Sequence, residues 1–140
     1  MAYLEDRGAK YDLPLEEIWA YFSSDRHAAA HAKSLRNVRG RRLPGSASLI
    51  SAERHYRGHW TRFLTRSTVV APLCIVNEEL EGLLDGTRFT MVYSPRGSKT
   101  QVDLYADVRS SKVPASELEM TFLELVETSY REDAAALGNR

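Results

Sequence analysis

The chain carries a single cysteine, Cys74, so no internal disulfide can staple it and nothing ties it to an oxidising compartment. No histidine or aspartate stands at a telling distance from Cys74, which reads as a small buried apolar residue and not as a nucleophile. Net charge is also lacking. Nineteen Lys/Arg against nineteen Asp/Glu leave a formal charge of zero, which removes any global electrostatic case for nucleic acid or an anionic membrane. No run of 18 apolar residues and no leader-like segment is present, so membrane insertion is not expected and the cytoplasm is the default setting. Internal repeats, a Gly-rich phosphate loop, a nucleophile elbow and aromatic–basic interleaving are missing too, and with them the function classes they signal.

What is present organises itself around the C-terminal stretch. From Pro114 to about Leu137, the residues Leu118, Phe122, Leu125, Val126, Tyr130, Ala134 and Leu137 recur at helical spacing and predict one long amphipathic helix. Ser116 followed by Glu119 reads as a capping box, and Gly138 as the stop. At the other end Tyr3 to Asp12 predicts a strand. Leu13-Pro14-Leu15-Glu16-Glu17 then starts a helix, with proline in the first turn, acids complementing the dipole, and Ile18, Trp19 and Phe22 on its buried side. Ser23-Ser24-Asp25 breaks it and caps a second short helix, Arg26 to about Ser34.

Between these lie candidate strands Leu35–Leu43, Ser48–Tyr56, His59–Ala71, Leu73–Leu84, Thr87–Pro95 and Thr100–Ser110, separated by turn residues. Short connections imply an antiparallel meander within one domain spanning residues 1–140. A two-residue turn at Asp85-Gly86 pairs Glu78 with Tyr93 and puts Cys74, Val76, Glu78, Leu80, Phe89, Met91 and Tyr93 on one face. A loop at Arg96–Lys99 pairs Tyr93 with Val102 and adds Leu104, Ala106 and Val108. A turn at Arg57-Gly58 pairs Tyr56 with His59 and groups Ile50, Arg54, Tyr56, His59 and Phe63, while Glu53, Arg62 and Arg66 fall opposite. The cluster Arg36, Arg39, Arg41 and Arg42 reads as a solvated edge strand protected by charge.

Strand, two short helices, six-strand meander and long C-terminal helix is an order that resembles the START-like, polyketide cyclase/dehydrase (SRPBCC) superfamily. The segment Leu13-Pro14-Leu15-Glu16-Glu17-Ile18-Trp19-Ala20-Tyr21-Phe22 is similar to the family's proline-then-tryptophan opening of the first helix. Ser24-Asp25-Arg26, the stretch from Leu73-Cys74-Ile75 to Glu81-Gly82, and Tyr130-Arg131-Glu132-Asp133 resemble further family segments. A tryptophan frequent in the family's second helix is absent, and His31 stands near that place. The resemblance implies an α+β helix-grip fold, a seven-stranded curved antiparallel sheet (β-α-α-β-β-β-β-β-β-α) gripping the last helix over a cavity. The family holds lipid and hormone binders, aromatase/cyclases, ubiquinone-binding proteins and chaperone co-activators, so the fold alone does not choose a function.

The expected activity is binding or transport of a small hydrophobic ligand: a lipid, polyketide, isoprenoid or aromatic. The expected ligand contacts are Arg54, Tyr56, His59, Phe63, Glu78, Phe89, Met91, Tyr93, Leu104 and Phe122, since a few polar groups in an apolar cavity orient what area holds. Whether the protein is an enzyme stays open. A cyclase- or dehydratase-like acid–base catalyst in the same cavity would take His59 or Glu78 as its base. A third reading is a protein-interaction module, including a homodimer, through the convex face or the Arg36–Arg42 strand. No cofactor is expected. His27 and His31, four apart on a helix, form a workable metal pair, but no cysteine or acid completes the set in sequence, so no metal is expected either.

Overall fold

Val102, Leu104, Ala106 and Val108 alternate with polar neighbours, and each is almost wholly buried, so the strand that carries them forms the floor of the core. In the computed structural model, which describes residues 1–138, that strand is β7 (Lys99–Val108). The others are β1 (Ala2–Tyr11), β2 (Leu35–Arg42), β3 (Ala47–Tyr56), β4 (His59–Val70), β5 (Cys74–Glu81) and β6 (Arg88–Arg96). They form one antiparallel sheet in the order β1-β7-β6-β5-β4-β3-β2. Bulges between Asp6 and Ala9, Arg36 and Arg39, and Leu64 and Thr65 bend it, as an extra residue on one strand does. Helices α1 (Leu15–Phe22) and α2 (Asp25–Ala30) follow β1, and α3 (Leu118–Ala136) crosses the concave face. This is the α+β helix-grip architecture that the family resemblance implies.

Two apolar clusters seat α3. Leu118 and Phe122 pack with Leu84, Leu104, Ala106 and Val108 under its N-terminal half. Tyr11, Ile18, Tyr93 and Val102, with Tyr130 and Ala134 against them, do the same under its C-terminal half. The Tyr130 hydroxyl donates to the Lys10 carbonyl at 2.6 Å, tying the helix to β1.

Local turn chemistry holds where glycine takes the positive φ. Arg57 (φ +47) and Gly58 (φ +82) turn β3 into β4 and pair Tyr56 with His59; the turn at Gly97 pairs Tyr93 with Val102. The β5–β6 connection differs from expectation. Glu78 pairs with Arg88 and Ile75 with Met91, so β5 is displaced by an odd number of residues and all its side chains change face. The cause is that Asp85-Gly86 is not a two-residue hairpin. Residues 82–86 form a wider loop held by Glu79, whose carboxylate accepts from the Leu84 N–H at 2.6 Å and whose carbonyl accepts from Gly86. Ile75, Asn77 and Glu79 therefore face inward, while Cys74, Val76 and Glu78 face out and Leu80 is exposed. Cys74 is half-buried on the convex side.

Two helix ends also differ. The chain enters α3 through a 3₁₀ turn at Ala115–Glu117, with Ser116 inside it, so the capping box does not form. Helix α2 stops at Ala30, because His31 and Ser34 turn toward α3.

Candidate functional site

Between sheet and α3 lies a cavity of about 340 Å³. Its walls are mainly rings and aliphatic chains: Phe63 from β4, Phe89 and Met91 from β6, Phe122 and Leu125 from α3, and Phe22 from α1. Alternation on the strands and the i, i+3 spacing on α3 aim these side chains at one space. Phe89 and Phe122 meet edge to face with centroids 5.4 Å apart. Trp19, Phe22 and Tyr93 pack edge to face in the same way beneath the C-terminal half of α3. Burial pushes the Tyr93 phenol up, so it stays protonated and keeps a donor at the cavity wall.

One polar end is the pair of Arg54 on β3 and Glu79 on β5, hydrogen-bonded and nearly buried, with side-chain exposures of 13% and 9%. The guanidinium also stacks over Phe63, 4.2 Å from its centroid. Arg54 Nε is buried and has no hydrogen-bond partner among the described residues. Gly82 makes the closeness possible: at φ +133, a Cβ there would lie 2.8 Å from both the Glu79 carboxylate and Phe63 Cβ.

The other polar end joins α1, α2 and α3. Asp133 Oδ1 accepts from the Tyr21 hydroxyl at 2.6 Å and lies 3.0 Å from His31 Nε2 and 3.4 Å from His27 Nε2. His31 Nδ1 meets Glu132 Oε1 at 2.9 Å, and the Ser34 hydroxyl donates to that same oxygen at 2.6 Å. For His31, burial opposes the charged form, but hydrogen bonds and charge from Asp133 and Glu132 outweigh it and raise its pKa. For His27 burial prevails and lowers it. Burial, and then the bond to Asp133, push the Tyr21 phenol upward.

Of the residues singled out from sequence, Arg54, Phe63, Phe89, Met91, Tyr93 and Phe122 line the cavity. Four do not. Glu78 lies on the convex face, bonded to Arg66 at 3.0 and 3.1 Å, which lowers its pKa. His59 is exposed at the β3–β4 turn. Tyr56 sits under Arg57 and donates a long 3.4 Å bond to Thr121. Leu104 is core beneath the cavity. For His27 on α2 and His31 just after it, an acid does complete the pair: Asp133, which reaches both rings, and His31 is buried. Sequence reasoning missed Glu79, because of the register, and Asp133. The signal for Asp133 was available: it stands three residues after Tyr130 and seven after Val126, on the apolar stripe, where a carboxylate needs partners.

Similarity to solved structures is extensive and distant in sequence. A START superfamily protein from Mycobacterium smegmatis superposes with a TM-score of 0.74 at 16% identity, covering 97% of both chains. The Zhui aromatase/cyclase from a Streptomyces species gives 0.73 at 13%, covering 97% of this chain and 90% of that one. A major latex-like protein of Panax ginseng gives 0.67 at 11%, covering 96% and 95%. No family model matches the sequence, and no curated protein does. These likenesses establish the fold, START-like and helix-grip.

Proposed function

We propose that this protein binds or carries a small hydrophobic ligand, of the lipid, polyketide, isoprenoid or aromatic class, in the cavity between the sheet and α3. The observation that carries the reading is the cavity itself: about 340 Å³ walled mainly by aromatic and aliphatic side chains, with Arg54, Glu79 and Tyr93 as polar groups among its lining residues. Apolar walls supply affinity through the area removed from water, and a few fixed polar groups orient what they hold. The volume stands at the small end of ligand pockets, which favours a compact molecule over a two-chain lipid. Neighbours of the same fold include a protein described as an aromatase/cyclase, and this supports the ligand class without assigning a reaction. Because His59 and Glu78 lie outside the cavity, the acid–base reading loses the two groups it rested on. No helix of the described residues is long and apolar enough to cross a membrane, and a cytoplasmic carrier is the form this reading takes.

The test is native mass spectrometry of the purified chain, followed by denaturing extraction, beside a Leu125→Trp variant that fills the cavity from α3. A co-purifying apolar molecule, lost in the variant while the fold persists, is the expected result. A chain that carries nothing and gains no thermal stability from short fatty acids, quinones or aromatic polyketides would sink the reading.

A further inference from the structure

Three nitrogen and oxygen donors converge where α2 meets α3. His27 Nε2 and His31 Nε2 lie 3.4 and 3.0 Å from Asp133 Oδ1, and one ligand atom from each residue lies within 4.8 Å of the others. Ligand atoms bonded to one small divalent ion at the usual lengths stand about 3.0–3.4 Å apart, so these side chains need little movement to share one. The outer partners fit as well. Glu132 is an acceptor, already held by Ser34, so its contact with His31 places a proton on Nδ1 and leaves Nε2 to face Asp133. A carboxylate behind a ligating imidazole is the arrangement that fixes its tautomer and raises its basicity.

Charge points the same way. Asp133 and Glu132 bring two carboxylates to a largely buried spot, where their bonded partners among the described residues are the two imidazoles and the Tyr21 and Ser34 hydroxyls. One proton on His31 would balance one of the two. It would leave both imidazoles and the Tyr21 hydroxyl crowding a single oxygen that has two lone pairs. A divalent ion balances both carboxylates and gives each imidazole lone pair a partner.

We propose that His27, His31 and Asp133 form a mononuclear site for a divalent first-row transition metal ion, with Glu132 and Tyr21 positioning the ligands. All three donors line the cavity, so the remaining coordination positions face the same space as the apolar ligand site. Two imidazoles and one carboxylate with open positions is a donor set that zinc and ferrous ions accept. The site stands on its own residues and holds whether or not the cavity takes an apolar ligand.

The experiment strips the full-length protein with a chelator and titrates it with Co²⁺, followed by visible absorption, and with Zn²⁺, followed by calorimetry and native mass spectrometry. Expected are one ion per chain, a ligand-field spectrum for Co²⁺ that Zn²⁺ abolishes, and a metal-dependent rise in Tm reversed by chelator. Asp133→Asn and His27→Ala should each weaken binding more than 10-fold, and Glu132→Gln by about 10–100-fold. His27 is half-buried, and Asn at 133 still accepts from Tyr21, so circular dichroism should show both variants folded. Absence of saturable uptake would overturn the proposal. So would unaltered binding in folded His27→Ala/Asp133→Asn, because the ion would then sit elsewhere. Uptake of metal by a chain that neither carries an apolar molecule nor is stabilised by added ones would support this site while refuting the carrier reading.

Discussion

Replacing Arg54 by methionine tests whether the cavity's first polar end is a coupled buried pair. The substitution keeps an unbranched apolar stem but removes the guanidinium, and with it both the bond to Glu79 and the stacking on Phe63. Glu79 would remain 9% exposed with one hydrogen bond to its carboxylate, from the Leu84 N–H. Removing one partner of a buried ion pair costs about 3–5 kcal/mol, because the other charge is left uncompensated. Arg54 keeps 13% of its side chain exposed and the cavity can admit water, so the low end applies, about 3 kcal/mol. At about 2.1 cal/mol/K per residue, 140 residues unfold with an entropy near 0.3 kcal/mol/K, so Tm should fall by about 10 °C. Urea denaturation followed through Trp19 and Trp60 measures the loss. In a double-mutant cycle with Glu79→Gln, which keeps an acceptor for Leu84, the coupling should be about 2 kcal/mol. A coupling below about 0.5 kcal/mol would show that the pair behaves as a surface ion pair and would refute the reasoning.

Gly82→Ala should destabilise by about 1–3 kcal/mol, since φ +133 and a 2.8 Å approach to Glu79 and Phe63 leave no room for Cβ; a variant as stable as wild type in the same denaturation assay would contradict this. Phe122→Ala, which empties a 2% exposed position under α3, should cost about 3–5 kcal/mol, and calorimetry reads it. Tyr21→Phe removes the 2.6 Å bond to Asp133 and should cost about 1–2 kcal/mol, checked by the midpoint of urea unfolding. Glu78→Gln should leave ligand uptake by extraction assay within about 2-fold of wild type and stability within about 1 kcal/mol, because its partner Arg66 is on the exposed convex face.

The parts of this protein legible in its sequence are those decided by neighbours in the chain. The period of 3.6 from Leu118 to Leu137 specifies α3, and alternation specifies β7. Turns that carry their own positive-φ glycine, at Gly58 and Gly97, specify two registers, because a two-residue connection permits one pairing. From these alone the order of elements follows, and with it Arg54, Phe63, Phe89, Met91, Tyr93 and Phe122 on the concave side.

Tertiary structure decided the rest. The β5–β6 register depends on a loop that Glu79 holds from within and that Thr87 ties to the Arg109 carbonyl, 22 residues away, and no local rule weighs such a contact against the Asp85-Gly86 turn signal. That choice moved Glu78 outward and brought Glu79 in. The cluster of His27, His31 and Asp133 needs α3 to lie across α2, joining residues about a hundred positions apart. A sequence pattern records which face of a helix is apolar. It does not record which polar residue of another element that face will meet, because the meeting is fixed by packing of the whole sheet beneath.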